Sequence, residues 1–461
     1  MTQKKRRNII LKFPIINETK NSETSFFKFS VGKNNNKTKY VNYTYENASM
    51  NTMIIGATGS GKTKSLIIPI LDKFIQDGLS GLIIDIKNDF TNDIYKIAKK
   101  HGREEDIIEI GSYETAKKIN LLNGLKKDEV KELFRYLFKF DNRSEKNGEY
   151  WEGMSFRVLE DIIDVIYYIN KYEVLPFTFY LLYLILSNKN YADKIYEKFL
   201  SLPDSVEKEQ IVSNIETYAF HVFKQKNDSA FKEDIDENNR SWTYQRYTNL
   251  VKDFLKDNLL ENINNISENK DFVLDFQKLL YEENKIIVIR FDLIFSYIGN
   301  KISKFIRKKM ISDIIKYNNN IPEEDRKETF IIADEFQNII SLEEGLFNDN
   351  EWFDKSRSFK CYQIIATQSL SSLYSKTNNS YQVDTLINNC RNKFFLSNED
   401  IKTNQYFHEL SMGNYSKELY ELKLGECYYY YFNNIKGEKE LNLIKLTLNK
   451  YNNLIKKFNK K

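Results

Sequence analysis

The chain has 461 residues, with 69 Lys and Arg against 65 Asp and Glu, a formal charge of only +4, and it carries five Pro, 16 Gly and three Cys. A hydrophobic share of 41% with 14% aromatic residues excludes a disordered or collagen-like chain, and at roughly 150 residues per domain there is material for about three domains. Cys361, Cys390 and Cys427 are too few and too widely spaced for a disulfide framework or a four-ligand zinc site, so a reducing compartment is expected.

The N-terminus is basic at Lys4, Lys5, Arg6 and Arg7 but has no long apolar run, and so does not read as a signal peptide. Residues 1–50 alternate short apolar runs (Asn8 to Phe13, Phe26 to Val31, Tyr40 to Tyr45) with Asn- and Lys-rich turns. They predict a small β-rich segment packing on the domain that follows. From 51 to 125 strands alternate with helices: TMIIG, a helix from Lys62 to Gln76, GLIIDI, a helix over Asn92 to Lys100, and DIIEIG. That alternation predicts a parallel sheet covered on both faces.

Across 126–283 the alternation stops. Trp151, Phe156, Leu159, Ile162, Ile163 and Ile166 recur at three- and four-residue spacing, which predicts an inserted all-α domain. The most apolar stretch, Val174 to Leu186, is too short to span a bilayer and contains Pro176, so a buried helix is expected there. Strand patterns return in 284–461 at Lys285 to Phe291, Thr329 to Phe336, Tyr362 to Ser369 and Asn392 to Asn398. The predicted fold is α/β: one nucleotide-binding domain, split over 51–125 and 284–461, with a mostly parallel central sheet interrupted by the helical insert.

Gly56-Ala57-Thr58-Gly59-Ser60-Gly61-Lys62-Thr63 matches the P-loop pattern in full, between an apolar strand and a helix start. The glycines allow successive N–H groups to turn inward around phosphates, and the helix N-terminus adds its positive end. The expected nucleotide-binding set runs from Gly56 through Ala57, Thr58, Gly59, Ser60, Gly61, Lys62 and Thr63 to Lys64, with ATP as ligand. Lys62 would reach the β- and γ-phosphates, and Thr63 would bind Mg²⁺.

A second strand must deliver a carboxylate. Phe330 to Ala333 leads directly to Asp334 and Glu335, placing Asp334 at the metal and Glu335 at the attacking water. Asp85 also ends an apolar strand, but Lys87 follows it and no second acid adjoins it. That pattern suits a switch or sensing role better. Gln368 has the chemistry of a γ-phosphate sensor, and Arg357 that of an arginine finger, with a surface ion pair to Asp354 as the plainer reading.

With these residues in place, the sequence resembles the type IV coupling proteins of conjugation and type IV secretion, the TraG/TraD group of FtsK/HerA-like P-loop ATPases. The resemblance rests on ordered blocks: IIGATGSGKTKSLIIPIL, GLIIDIKNDF, the run ending at Leu122, IIADEFQNI, SRSFKCYQIIATQSLSSLYS and LINNCRNKFFLSNED. It implies a RecA/FtsK-like fold and an ATP-hydrolysing motor that delivers relaxase-bound single-stranded DNA to a secretion channel. It also implies a homo-oligomeric, hexameric ring in which Arg357 reaches the neighbouring subunit. The implied partners are the relaxase or relaxosome, type IV secretion ATPases and a separate membrane anchor.

The sequence departs from the pattern at Asn88-Asp89, Leu121 and Gln337, none of which removes a catalytic group. Family members usually carry N-terminal transmembrane helices, and this sequence shows none, so the expectation is a cytoplasmic chain attached peripherally at the membrane. A HerA/FtsK-like translocase in DNA processing or defence, and a nucleotide-binding docking platform for secretion substrates, are the alternatives.

Overall fold

Unbroken apolar runs, rather than alternating ones, form the central strands because both faces of their sheet are covered. The computed structural model describes residues 11–14, 40–138, 148–217, 245, 247–256, 258–264, 273–342, 348–377, 379–433 and 436–446. The chain divides into two compact units, one of Met1–Glu109, Phe276–Arg290 and Ile306–Lys461, the other of Ile110–Asp275 and Phe291–Phe305.

In the first unit, β1 (Leu11–Pro14) and β2 (Tyr40–Tyr43) form an antiparallel pair. The main sheet is built from β3 (Thr52–Ile55), β4 (Ser80–Ile84), β5 (Ile107–Gly111), β6 (Ile286–Arg290), β7 (Thr329–Ala333), β8 (Cys361–Thr367), β9 (Asn392–Phe395), β10 (Glu426–Asn433) and β11 (Glu438–Lys445). Their order is β11-β10-β9-β3-β8-β7-β4-β6-β5. The pairs from β9 through β3, β8, β7 and β4 to β6 are all parallel, and β10 runs antiparallel to both β9 and β11. This is the mixed, mostly parallel α/β sheet expected from the alternation of strands and helices. All residues of β3, β4, β7 and β8 are buried.

Helix Ile68–Gln76 covers one face, its Phe74 ring stacked on Phe330 at 5.3 Å and on Tyr362 at 5.6 Å. The α-helix expected from Lys62 begins instead as a π turn over Thr63–Ile67. Pro69 stands two residues beyond its end. Lacking an N–H, it cannot close the ordinary four-residue bond, and the winding widens ahead of it. The β-rich reading of 1–50 also changes at its end, because Tyr45–Ser49 is a helix. Thr44 and Asn47 form a reciprocal capping box that starts it. The strand expected over Phe26 to Val31 lies outside the described residues.

The second unit contains helices Lys127–Phe138, Gly148–Ile169, Phe179–Ser187, Lys189–Ser201, Val206–Thr217 and Asn258–Ile263. Leu159, Ile162, Ile163 and Ile166 are buried, as their spacing requires. Thr178, rather than Val174, starts the apolar helix, accepting a hydrogen bond from Leu181 N at 3.0 Å, and Val174 is exposed. The unit also includes Ile119 and Leu121, whose N–H groups donate to Asn262 O and Ile263 O at 2.8 and 3.0 Å. Among the described residues, no helix is long and apolar enough to cross a membrane.

Helix Ser296–Asn318 carries Arg307, which pairs with Asp349 at the start of helix Asp349–Lys355. Both side chains are almost fully buried, at 1% and 2% exposure. Asp349 Oδ2 also accepts Ser341 N, and the Arg307 guanidinium lies 5.1 Å from the centroid of the Phe336 ring. Removing one member of such a pair strands the other charge in a low-dielectric interior. Asp349→Ala is therefore expected to lower unfolding stability by about 3–5 kcal/mol, measured by denaturant titration, whereas Arg307→Met combined with Asp349→Leu is expected to restore much of the loss. A loss from Asp349→Ala alone of under about 1 kcal/mol would exclude the pair as a core support.

Candidate functional site

The loop Gly56–Gly61 joins the C-terminal end of β3 to the π turn. Its path is fixed from beneath: Gly56 N donates to Thr367 O at 3.2 Å, and Ala57 N to Ser397 O at 2.9 Å. Gly56 must be glycine, since a Cβ there would lie 2.6 Å from Ser60 Oγ and 2.8 Å from Leu396 Cβ. Gly59 and Gly61 adopt φ of 81° and 97°, a region open to glycine and strained for other residues. Ser60 Oγ is buried inside the loop with no hydrogen-bond partner, a polar atom suited to a ligand oxygen.

Lys62 is buried, and its Nζ donates to Gly56 O at 2.6 Å and Ala57 O at 3.2 Å. Burial draws its ammonium below the usual lysine range, against the opposing pull of Asp334 and Glu335. Thr63 Oγ1 donates to Asp334 Oδ2 at 2.9 Å. These are two hard oxygen ligands side by side, the donor set that Mg²⁺ prefers. The Lys64 side chain points elsewhere, pairing with Asp93 on helix Thr91–Lys100, so only its backbone belongs to the loop.

Asp334 and Glu335 both follow β7 and are buried. Burial, then the Glu335 charge, pushes the Asp334 carboxyl up to about 6, against the Thr63 hydrogen bond and the Lys62 charge. Glu335 sits at φ 50°, ψ 45°, a left-handed conformation that costs a non-glycine residue about 1–2 kcal/mol. It is held there by its own N–H donating to Asp334 Oδ1 at 2.9 Å and by Asn338 N donating to its carbonyl at 2.9 Å. Its carboxylate is gripped on three sides. Gln368 Nε2 donates to Oε2 at 2.8 Å, Gln337 Nε2 donates to the same oxygen, and Lys87 pairs with Oε1.

Lys62, Thr63, Asp334, Glu335 and Gln368 thus converge, as their motifs suggest. Two members of the cluster were not singled out for it by the sequence. Lys87 comes from the loop after β4 as the counter-charge of Glu335, and its only signal was its place beside Asp85. Gln337 links Glu335 to Thr367, whose Oγ1 donates to Gln337 Oε1 at 2.9 Å. Asp85 itself turns into its own loop, accepting Thr91 Oγ1 at 2.7 Å, Thr91 N at 3.0 Å and Phe90 N at 3.2 Å. Its carboxylate braces the start of helix Thr91–Lys100 and leaves the second carboxylate position to Asp334.

Arg357 is exposed and precedes the N-terminal end of β8, whereas Gln368 follows the C-terminal end. Seven strand residues separate them, roughly 20 Å at 3.3 Å per residue. Arg357 is therefore remote from the P-loop of its own chain. Among the described residues its guanidinium makes no ion pair, and the alternative contact with Asp354 is not formed.

A family model described as Type IV secretory system Conjugative DNA transfer matches residues 6–418. No curated protein matches the chain. Among solved structures, plasmid coupling protein TrwB in complex with ADP and Mg²⁺ superposes with a TM-score of 0.59 at 13% identity, covering 96% of this chain and 95% of that one. TrwB in complex with the non-hydrolysable GTP analogue GDPNP gives the same values. The unbound monoclinic form of the bacterial conjugative coupling protein TrwBdeltaN70 gives a TM-score of 0.58 at 13% identity, covering 88% and 86%. At such identities the likeness is one of fold.

The raised Asp334 carboxyl predicts a pH dependence. A carboxyl raised in the folded state favours folding while protonated, so its stabilisation is complete below its unfolded value of 3.8 and is lost as pH rises through about 6. Asp334→Asn is expected to be more stable than the parent by about 1–3 kcal/mol at neutral pH, with the difference closing near pH 4. Thermal unfolding across that range measures it, and a difference independent of pH would refute the assignment.

Proposed function

The chain belongs to the conjugative DNA transfer family of type IV secretory systems, and from that premise we propose that it is an ATP-hydrolysing motor that drives DNA, as a single strand, toward a secretion channel. The observation that carries the proposal is the convergence of Thr63, Asp334, Glu335 and Gln368 on the P-loop. A nucleotide-binding platform without turnover needs no buried, strained glutamate beside the metal ligands.

In this reading the backbone N–H groups of Gly59, Gly61, Lys62 and Thr63 and the hydroxyl of Ser60 bind phosphate oxygens, and Lys62 Nζ exchanges the Gly56 and Ala57 carbonyls for the β- and γ-phosphates. Thr63 and Asp334 would hold Mg²⁺, which would supply positive charge against the phosphates. Glu335 orients a water for attack on the γ-phosphorus and accepts its proton at a carboxylate oxygen. Gln368 steadies Glu335 and can donate to the γ-phosphate as it leaves. The TrwB complexes with ADP and Mg²⁺ and with a nucleotide analogue support this choice of ligand.

Arg357, too far from its own P-loop, serves the site of a neighbouring subunit, which requires a homo-oligomeric ring, hexameric in our reading. The transferred DNA brings the relaxase, and secretion ATPases or a separate anchor hold the motor at the membrane.

Steady-state hydrolysis measured with and without single-stranded DNA tests the motor. DNA is expected to stimulate turnover. Glu335→Gln should lower kcat by about 100-fold or more while nucleotide affinity is retained, and Arg357→Ala should do the same, with parental turnover collapsing on dilution as the ring dissociates. Unstimulated hydrolysis that survives Glu335→Gln would end the motor reading, and full activity of Arg357→Ala would end the finger.

A further inference from the structure

The sheet order orients whatever lies in the P-loop. Asp334 follows β7 and Gln368 follows β8, both on one side of β3. The γ-phosphate end must therefore face that side, and the nucleoside end must leave toward β9. There the chain forms a shelf. Ser397, after β9, accepts Ala57 N, and Asn398 N donates to Leu419 O at 3.3 Å. A short helical turn over Leu419–Glu421, closed by reciprocal Glu418 and Glu421 contacts, starts a segment pinned at its far end by Leu446 N donating to Gly425 O at 2.7 Å.

One large apolar side chain of this pinned segment, Leu424, is left in solvent at 64% exposure. Leu424 Cδ1 reaches to 3.4 Å from where a Cβ on Gly61 would stand, directly against the P-loop. Leu419 and Leu422 turn into the core, so the outward Leu424 is not a missing piece of packing. An exposed apolar side chain against a phosphate-binding loop suits a flat heterocycle linked to those phosphates.

We propose that Leu424 forms the seat for the base of the bound nucleoside triphosphate, its side chain packing against the heterocycle. The inference rests on the P-loop reading above and adds to it a residue that meets the base. Leu424 has no polar group to offer a phosphate, so its truncation should affect base-containing ligands alone.

The test is calorimetry on the full chain with Mg²⁺-ATP and with Mg²⁺-tripolyphosphate, which has the phosphates but no base. Leu424→Ser, at an exposed position, is expected to weaken ATP by about tenfold and leave tripolyphosphate within about twofold. Unchanged ATP affinity, or equal loss of both ligands, would overturn the base seat alone. So would a change in oligomeric mass with the ATP-to-tripolyphosphate ratio preserved, which would give the surface to a second copy of the chain. Parental protein that binds neither ligand would overturn the P-loop reading, and this inference with it.

Discussion

The candidate site depends on a 2.9 Å hydrogen bond from Thr63 to Asp334, residues 271 positions apart. The strands that carry them are not neighbours, since β8 lies between β3 and β7. The bond forms only because Thr52, Ile364 and Ile332 align across the three strands. A slip of one residue would turn every side chain of a strand to the opposite face. Burial on both faces prevents the slip, so the hydrophobic core sets the geometry of the polar site.

The charges of that site balance locally. Lys62 and Lys87 stand against Asp334 and Glu335, all close together and three of them buried. Without the two cations, adjacent carboxylates in a low-dielectric interior could not both ionise. Burial and the neighbouring charge raise the Asp334 carboxyl, and Lys87 pairs directly with Glu335. The overall charge of +4 therefore conceals a site in which Lys62 and Lys87 stand beside Asp334 and Glu335.

Much of this was legible in the sequence, and the reasons differ by element. The P-loop was legible because its glycines are demanded by backbone geometry, and the parallel strands because burial on both faces leaves unbroken apolar runs. The helix Tyr45–Ser49 was missed because a local capping box outweighs an aromatic, strand-like composition. The π turn was hidden because Pro69 widens the winding without altering the apolar spacing. The antiparallel hairpin of β10 and β11 went unread, although ECYYYYFN and EKELNLIK flank a turn containing Gly437. Lys87 and Gln337 were illegible as partners of Glu335, since pairing across loops leaves no periodic trace.

The position of β3 in the sheet also bears on how the protein can be made. This strand ends at residue 55, yet both its partners, β8 and β9, come from residues 361–367 and 392–395. During synthesis the strand leaves the ribosome some 300 residues before either edge can be covered, and at about 5–20 residues per second that interval lasts tens of seconds. Through it an apolar strand with two open edges must be kept from pairing with other chains. The nascent protein is thus a natural client for chaperones, and a transcript truncated before β9 would yield a product with no means of closing its sheet.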